Sequence, residues 1–389
     1  MSCDIDMLCI GNFVLSKAAQ SATVRVVNDN TSDEVLEGRL LSPCCQDQLN
    51  RQNGKLVCAQ CNHVFEIQDD IPMLYWPHQK IHDPRDVTES VKTFYEETPF
   101  PNYDDHDSVR SLIEKSRRGL YARQLDRTIP YNSTILEVGC GTGQLTNFLG
   151  ISCRQVIGTD MCLNSLRLGE AFRKEHDLSR VRFMQMNLFR SALMPAQFDV
   201  VLCNGVLHHT ADPYGGFCGL VPLVKPGGHI VVGLYNVYGR LMTDLRRQMF
   251  RLTNGHAKWI DPQLRKMGLS EGKRRAWFAD QYCHPHESKH TFGEVLGWFD
   301  NNGLEFVCGV PALTPDSNIL DSASLFESQP RGTAFDRGVV QAMEIFGAGQ
   351  KEGGFFVMIG RKPGETESPS TEPERVAAKC YDLPPYSVV

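Results

Sequence analysis

The 389-residue chain has no apolar run approaching the ~20 residues needed to cross a bilayer, and it opens with Asp4 and Asp6 where a secretory leader would be basic. A cytoplasmic protein without a membrane span is the expectation. Net positive charge is also lacking: 40 Lys and Arg stand against 46 Asp and Glu, a formal −6 with pI near 6.1. That balance argues against general binding to phosphate backbones and leaves room only for a local basic patch. No internal repeat is present. The 14 cysteines do not form the framework of a small disulfide-stapled protein, since several, such as Cys140 and Cys203, fall inside apolar strand-like runs as small buried hydrophobes. What is there, 41% hydrophobic and 22% charged residues, is the composition of a globular protein, with one large and one small domain by length.

The chain is organised around residues 134–150, TILEVGCGTGQLTNFLG, which read as a strand, a tight glycine turn and a helix. Gly139, Gly141 and Gly143 let the backbone turn sharply and come close to a ligand, while the helix aims its first N–H groups at the same place. Position 144 is Gln, so the pattern is GxGxG, without the third glycine of a dinucleotide fingerprint and without the lysine of a phosphate loop. Glu137 ends this strand and Asp160 ends the next, about 20 residues past the first glycine, where a carboxylate accepts hydrogen bonds from ribose hydroxyls. Two acids and no phosphate lysine suit a cationic nucleoside.

These motifs resemble the class I S-adenosylmethionine-dependent methyltransferases, and the match continues in register. Asn187 follows the strand-like VRFMQMN, where the family commonly has Asp near the adenine amino group. Phe198–Pro213 resembles the fourth-strand motif, and Leu223–Asn236 the Lys-Pro-Gly-Gly turn into the fifth strand. The resemblance implies an α/β fold, a Rossmann-like seven-stranded sheet that is mostly parallel with its last strand antiparallel. It also implies a cofactor site at Glu137, Gly139, Cys140, Gly141, Gly143, Asp160, Met161, Asn187, Leu188 and Asn204, covered by Tyr95. His208 and His209, after the fourth strand, are the candidate catalytic pair. The alternative for them is packing or hydrogen bonding to the cofactor loop.

Ahead of the core, residues 40–76 carry Cys44 and Cys45, an NRQNGK hairpin, and Cys58-x-x-Cys61, the spacing of a zinc ribbon. The stretch, closing with DDIPML, resembles the ribbon modules related to the activator subunit of tRNA and release-factor methyltransferases. Ser42 stands where that pattern has its first cysteine, so Cys44 or His63 would complete a set with Cys45, Cys58 and Cys61. A metal-free ribbon resting on its hairpins is the alternative.

The expected organisation is a short β-rich segment at 1–39, the ribbon at 40–76, and a linker and lid at 77–110, where Pro77, Pro84, Pro99 and Pro101 argue against regular structure and Tyr95 and Tyr103 are the candidate lid residues. The methyltransferase domain then spans 111–361, and a disordered tail 362–389. Residues 108–128 have helical spacing, with Leu112, Ile113, Leu120 and Leu125 on one face. Within the domain, 236–290 reads as an acceptor cap. It includes a basic amphipathic helix closed by Gly255, and Tyr235, Asn236 and Tyr238 are placed to line the acceptor pocket. The spacing of His284, His286 and His290 suggests a surface or substrate-contacting role more than a metal site. Residues 311–350 are an insertion with a helix at VVQAMEIF. The leading functional expectation is methylation of a small or medium-sized metabolite. The alternatives are RNA methylation, with the ribbon gripping RNA and Arg240, Arg246, Arg247 and Arg251 along one helix, or a non-catalytic binding protein on the same fold.

Overall fold

The computed structural model describes residues 35–36, 38–78, 85–100, 103, 107–253, 260–261, 264, 271–317, 324–346 and 354–364. The expected strands before residue 35, the tail from 365 and Gly255 lie outside these residues.

The ribbon opens with β1 (Leu49–Gln52), β2 (Lys55–Cys58) and β3 (Val64–Phe65), a three-stranded antiparallel sheet. Asn53 and Gly54 both have positive φ at the β1–β2 turn, the two-residue geometry that an Asn-Gly pair supplies with least strain. β4 (Ile67–Gln68) and β5 (Ile71–Leu74) follow as a second antiparallel pair.

Three helices come next. α1 (Thr88–Glu97) lies where little regular structure was expected. The prolines that argued against a helix, Pro77, Pro84, Pro99 and Pro101, all fall outside it, and the run between them buries Val91. The helical pattern of 108–128 is broken into α2 (Val109–Arg118) and α3 (Leu120–Thr128), because Gly119 takes an extended conformation between them. The break turns Leu120 outward, while Leu112 and Leu125 stay in the core.

The domain is then β6 (Thr134–Val138), α4 (Gln144–Ile151), β7 (Gln155–Asp160), α5 (Leu163–Glu175), β8 (Val181–Met186), β9 (Phe198–Asn204), α6 (Pro213–Leu220) and β10 (Val224–Tyr235). After the cap helices α7 (Leu241–Leu252) and α8 (Glu271–Phe278) come α9 (Phe292–Asn301), β11 (Glu305–Val310), α10 (Ala334–Phe346) and β12 (Phe355–Arg361). Thr291 and Glu294 form the capping box of α9, which satisfies two free N–H groups at the helix start.

The main sheet has nine strands in the order β11-β12-β10-β9-β6-β7-β8-β5-β4. Seven of these, β11 to β8, are the expected methyltransferase sheet, with β12 antiparallel to both its neighbours. The other two come from the ribbon. β5 pairs in parallel with β8 through Met73–Gln185 and Leu74–Met186, so the end of the ribbon is an edge of the main sheet. One core runs through both parts: Leu56, Cys58, Phe65 and Leu74 belong to the same apolar cluster as Met184, Met186, Leu193 and Val201. The proline-rich stretch therefore does not separate two independently packed units.

Candidate functional site

β6 is buried along its whole length, as a central parallel strand must be, and it delivers Glu137 and the glycine turn to the carboxyl end of the sheet. There a cavity of about 590 Å³ opens, within the usual size of small-molecule sites. It is lined by Glu137, Gly139, Cys140, Gly141, Asp160, Met161, Asn187, Leu188 and Asn204 from the core and by Tyr95 from α1. Gly139 has positive φ, and a Cβ there would overlap Val206.

Two expected residues lie elsewhere. Gly143 does not line the cavity. It caps α4 with φ +71, and a Cβ would overlap the Phe183 ring, so its small size lets the helix sit on the sheet. We predict that Gly143→Ala costs about 3 kcal/mol of stability from overpacking and left-handed strain. Cofactor affinity should stay within about twofold, because position 143 is not in the cavity wall. Thermal denaturation checks the first part and calorimetry the second, and an unchanged melting temperature would refute this reading of the glycine. Tyr103 is the other displaced residue. Its ring stacks on Phe172 at 4.9 Å and its hydroxyl accepts from Asn147, away from the lid position.

Asp160 is half-buried at the cavity wall. Its two oxygens accept from the Gly141 N–H at 2.9 Å and the Cys162 N–H at 2.8 Å, which hold the carboxylate at the turn. Burial pushes its pKa up, against the lowering effect of those N–H groups. Burial likewise raises Glu137 to about 7, with the Thr146 hydroxyl opposing. The Asn204 Nδ2 donates to Tyr121 Oη at 3.3 Å, while its Oδ1 is buried without a partner among the described residues. An unsatisfied acceptor in a cavity that also presents two acids is what a ligand with cationic and hydroxyl donors would fill, so the residues present fit S-adenosylmethionine. Asn187 also serves the ribbon: its Nδ2 donates to Trp76 O at 2.9 Å, and its Oδ1 accepts from the Phe189 N–H at 3.0 Å.

The two histidines separate in role. His209 lines the cavity, whereas His208 is buried behind it against Tyr235, with 4.2 Å between ring centroids. His209 Nδ1 lies 2.9 Å from the carbonyl of His286, which can only accept, so Nδ1 carries the proton. The Nε2 lone pair then accepts from His208 Nε2–H at 3.1 Å. Burial holds His209 down to about 4 and depresses His208 as well. His209 is thus a neutral ring whose basic nitrogen is already occupied. His284 stacks on it at 3.6 Å, and His290 bonds Ser288 and Glu294, so the three cap histidines do not converge on a metal.

The sequence reading missed the polar side of the cavity that the cap provides. α8 continues into a π-helical turn, Ala279–Cys283, that places Asp280 and Gln281 in the wall beside Trp277 and Tyr235. Asp280 accepts from Tyr95 Oη and from Gln281 Nε2, both at 2.8 Å, and burial raises its pKa. Gln281 Nε2 also donates to Tyr235 Oη at 2.9 Å, and its Oε1 accepts from Arg240 at 2.6 Å. Arg240 is fully buried on Glu287 and over the Tyr235 ring, 3.7 Å from its centroid. Asn236 and Tyr238 are not in the wall. The first caps the turn into α7 and the second is exposed.

In the ribbon, one sulfur from each of Cys44, Cys45, Cys58 and Cys61 lies within 4.8 Å of the others, and Cys44 and Cys61 are 3.6 Å apart. That is the spread of four thiolates around a tetrahedral zinc with ~2.3 Å bonds, so the donor set fits the ion. Cys44 belongs to this cluster of four sulfurs. His63 is used for packing, edge-on to Phe65 at 4.7 Å and Trp76 at 5.0 Å. Ser42 is buried with its hydroxyl 3.2 Å from Cys58 Sγ. Burial raises the Cys58 thiol, but Ser42 and the N–H groups at Cys61 and Gln60 outweigh it and bring the pKa down to about 6.

Residues 136–232 match the family described as "Methyltransferase domain". An uncharacterised protein of Synechococcus is 27% identical over 260 residues, 58% of this chain and 60% of that protein. A ubiquinone biosynthesis O-methyltransferase of Serratia proteamaculans is 30% identical over 175 residues, 45% of this chain and 63% of its own length. The chain thus spans less than two thirds of either relative. Among solved structures, PKMT2 from Rickettsia typhi is similar at 16% identity, covering 64% of this chain and 53% of that one, with a TM-score of 0.45.

Proposed function

We propose, from the premise that this chain carries a class I S-adenosylmethionine-dependent methyltransferase domain behind a cysteine ribbon, that it methylates an oxygen of a small or medium-sized metabolite. S-adenosylmethionine supplies an electrophilic methyl group on a sulfonium. The protein's own residues must bind the two reactants in line, exclude water and accept the proton that an attacking hydroxyl gives up.

The observation that carries the reading is Asp280, a buried carboxylate in the wall of the cavity that also holds Asp160 and Glu137. Its raised pKa brings it closer to neutrality than an exposed aspartate, and Tyr95 and Gln281 fix its orientation. His209, with its lone pair engaged, is better suited to holding the wall than to taking a proton. The O-methyltransferase relative supports an oxygen acceptor. The arginines that favoured RNA support it less here, since Arg240 and Arg247 turn inward onto Glu287. The four thiols of the ribbon are proposed to hold a structural zinc ion, with no part in the transfer.

A panel of phenols and catechols with labelled cofactor tests this. For an acceptor found in it, Asp280→Asn should lower kcat/KM by about 10²–10⁴ with cofactor affinity unchanged. A base works only when deprotonated, so the wild-type rate should fall as pH drops through the raised pKa of Asp280, and the variant should lose that limb. A variant with full activity and the same pH profile would remove Asp280 from the role.

A further inference from the structure

α7 is turned inside out. An amphipathic helix on a globular surface ordinarily buries its apolar stripe and exposes its charges. Here Thr243, Arg247 and Phe250, spaced by four and three residues, face the domain, and Arg247 bonds Gln281 O at 2.8 Å and Glu287 at 3.1 Å. Asp244 pairs with Lys289 beside them. The opposite stripe, spaced by four, four and three, is Leu241, Leu245, Met249 and Leu252, which are 47, 50, 38 and 86% exposed. Tyr238 adds an exposed ring at the start of the helix. Scattered exposed leucines need no account, but a continuous apolar ridge along one helix does.

The polar ring around Arg240, Gln281 and Glu287 dictates the orientation. Rotating the helix to bury its leucines would pull Arg247 off Glu287 and leave a buried acid short of a partner, which costs more than exposing the ridge. Charge then selects what meets the ridge. Residues 236–290 contain eleven Lys and Arg against five Asp and Glu, a local +6 in a chain whose total is −6. Arg246 and Arg251 lie on α7 itself, Arg251 exposed beside Leu252.

We propose that the outer face of α7 is a docking surface for an anionic lipid bilayer, the leucines and methionine entering the headgroup boundary while Arg246 and Arg251 on the same helix meet the lipid charges. α7 is 12 residues long and lies on the surface without spanning it. No helix among the described residues is long and apolar enough to cross a membrane, and none is required.

Flotation of the whole protein with vesicles of phosphatidylcholine, with and without about a third phosphatidylglycerol, is the test. The wild type should float with the anionic vesicles only, and less so at high salt, since the basic residues are screened. Leu245→Glu combined with Met249→Glu should reduce binding about tenfold or more, with calorimetric binding of S-adenosylmethionine unchanged, because neither side chain lines the cavity. Failure of the wild type to float overturns the proposal, as does equal flotation of the double variant. If the wild type stays off the vesicles and is instead a dimer that the same substitutions dissolve, the ridge belongs to a second copy of the chain.

Discussion

Asp160→Ala should weaken S-adenosylmethionine binding about a hundredfold or more, measured by calorimetry. The carboxylate lines the cavity and is held at the glycine turn by Gly141 N–H on one oxygen and at the end of its own strand by Cys162 N–H on the other. Two charge-assisted bonds at about 1.5–3 kcal/mol each give at least ~3 kcal/mol, and 1.4 kcal/mol is a factor of ten. The fold should survive. Alanine removes a buried charge while leaving two N–H groups that water in the cavity can reach, and these effects oppose one another. Wild-type affinity in a variant with native circular dichroism would end the assignment of Asp160 to the cofactor. Loss of affinity together with loss of the native spectrum would mean that Asp160 holds the turn and not the ligand, and Asp160→Asn, which keeps one acceptor oxygen, separates the two.

Replacing Cys58 and Cys61 together by serine should abolish zinc binding, to less than about a tenth of an equivalent by elemental analysis, and should also weaken cofactor binding. The second effect follows from how the ribbon is attached. Arg190 donates to Pro43 O at 2.6 Å and Cys44 O at 3.0 Å, and Asn187 donates to Trp76 O. Between those two anchors Leu188 and Phe189 line the cavity. Cys58 itself is wholly buried in the core that the ribbon shares with β8 and β9. Losing the metal should therefore loosen the cavity wall, with a fall in affinity of about tenfold and faster proteolysis within residues 40–76. Removing the metal from the wild type with a chelator should do the same, reversibly on adding zinc. A metal-free variant that binds cofactor normally would show the ribbon and the cavity to be energetically separate. Wild-type protein purified without zinc would mean that the hairpins alone hold the ribbon.

Much of the cofactor side was legible because its signals are local. A glycine turn between a buried strand and a helix, with an acid at the end of each of two successive strands, fixes where Glu137, Gly141 and Asp160 must stand once the sheet is parallel. The same locality produced the errors. Gly143 shares the motif's spacing, yet whether a glycine faces a ligand or a phenylalanine depends on Phe183, forty residues away. His208 and His209 are adjacent and chemically alike, and only the carbonyl of His286 and the ring of His284 give them different tautomers and different faces. Prolines around α1 were read as if they excluded it, although they only bracket it.

By itself the sequence determined the strands of the methyltransferase sheet, the glycine turn, the acids beneath the cavity and the Cys58-x-x-Cys61 knuckle, since each is set by spacing within a few turns of chain. Tertiary structure alone decided that the ribbon ends as strands of the main sheet, that Cys44 belongs to the cluster of four sulfurs, that Asp280 enters the cavity, and that α7 turns its leucines outward. The physical reason is common to all four. Strand pairing at an open edge, the gathering of four sulfurs, the satisfaction of a buried acid and the rotation of an amphipathic helix each depend on partners distant in sequence, and spacing carries no record of which partner is there.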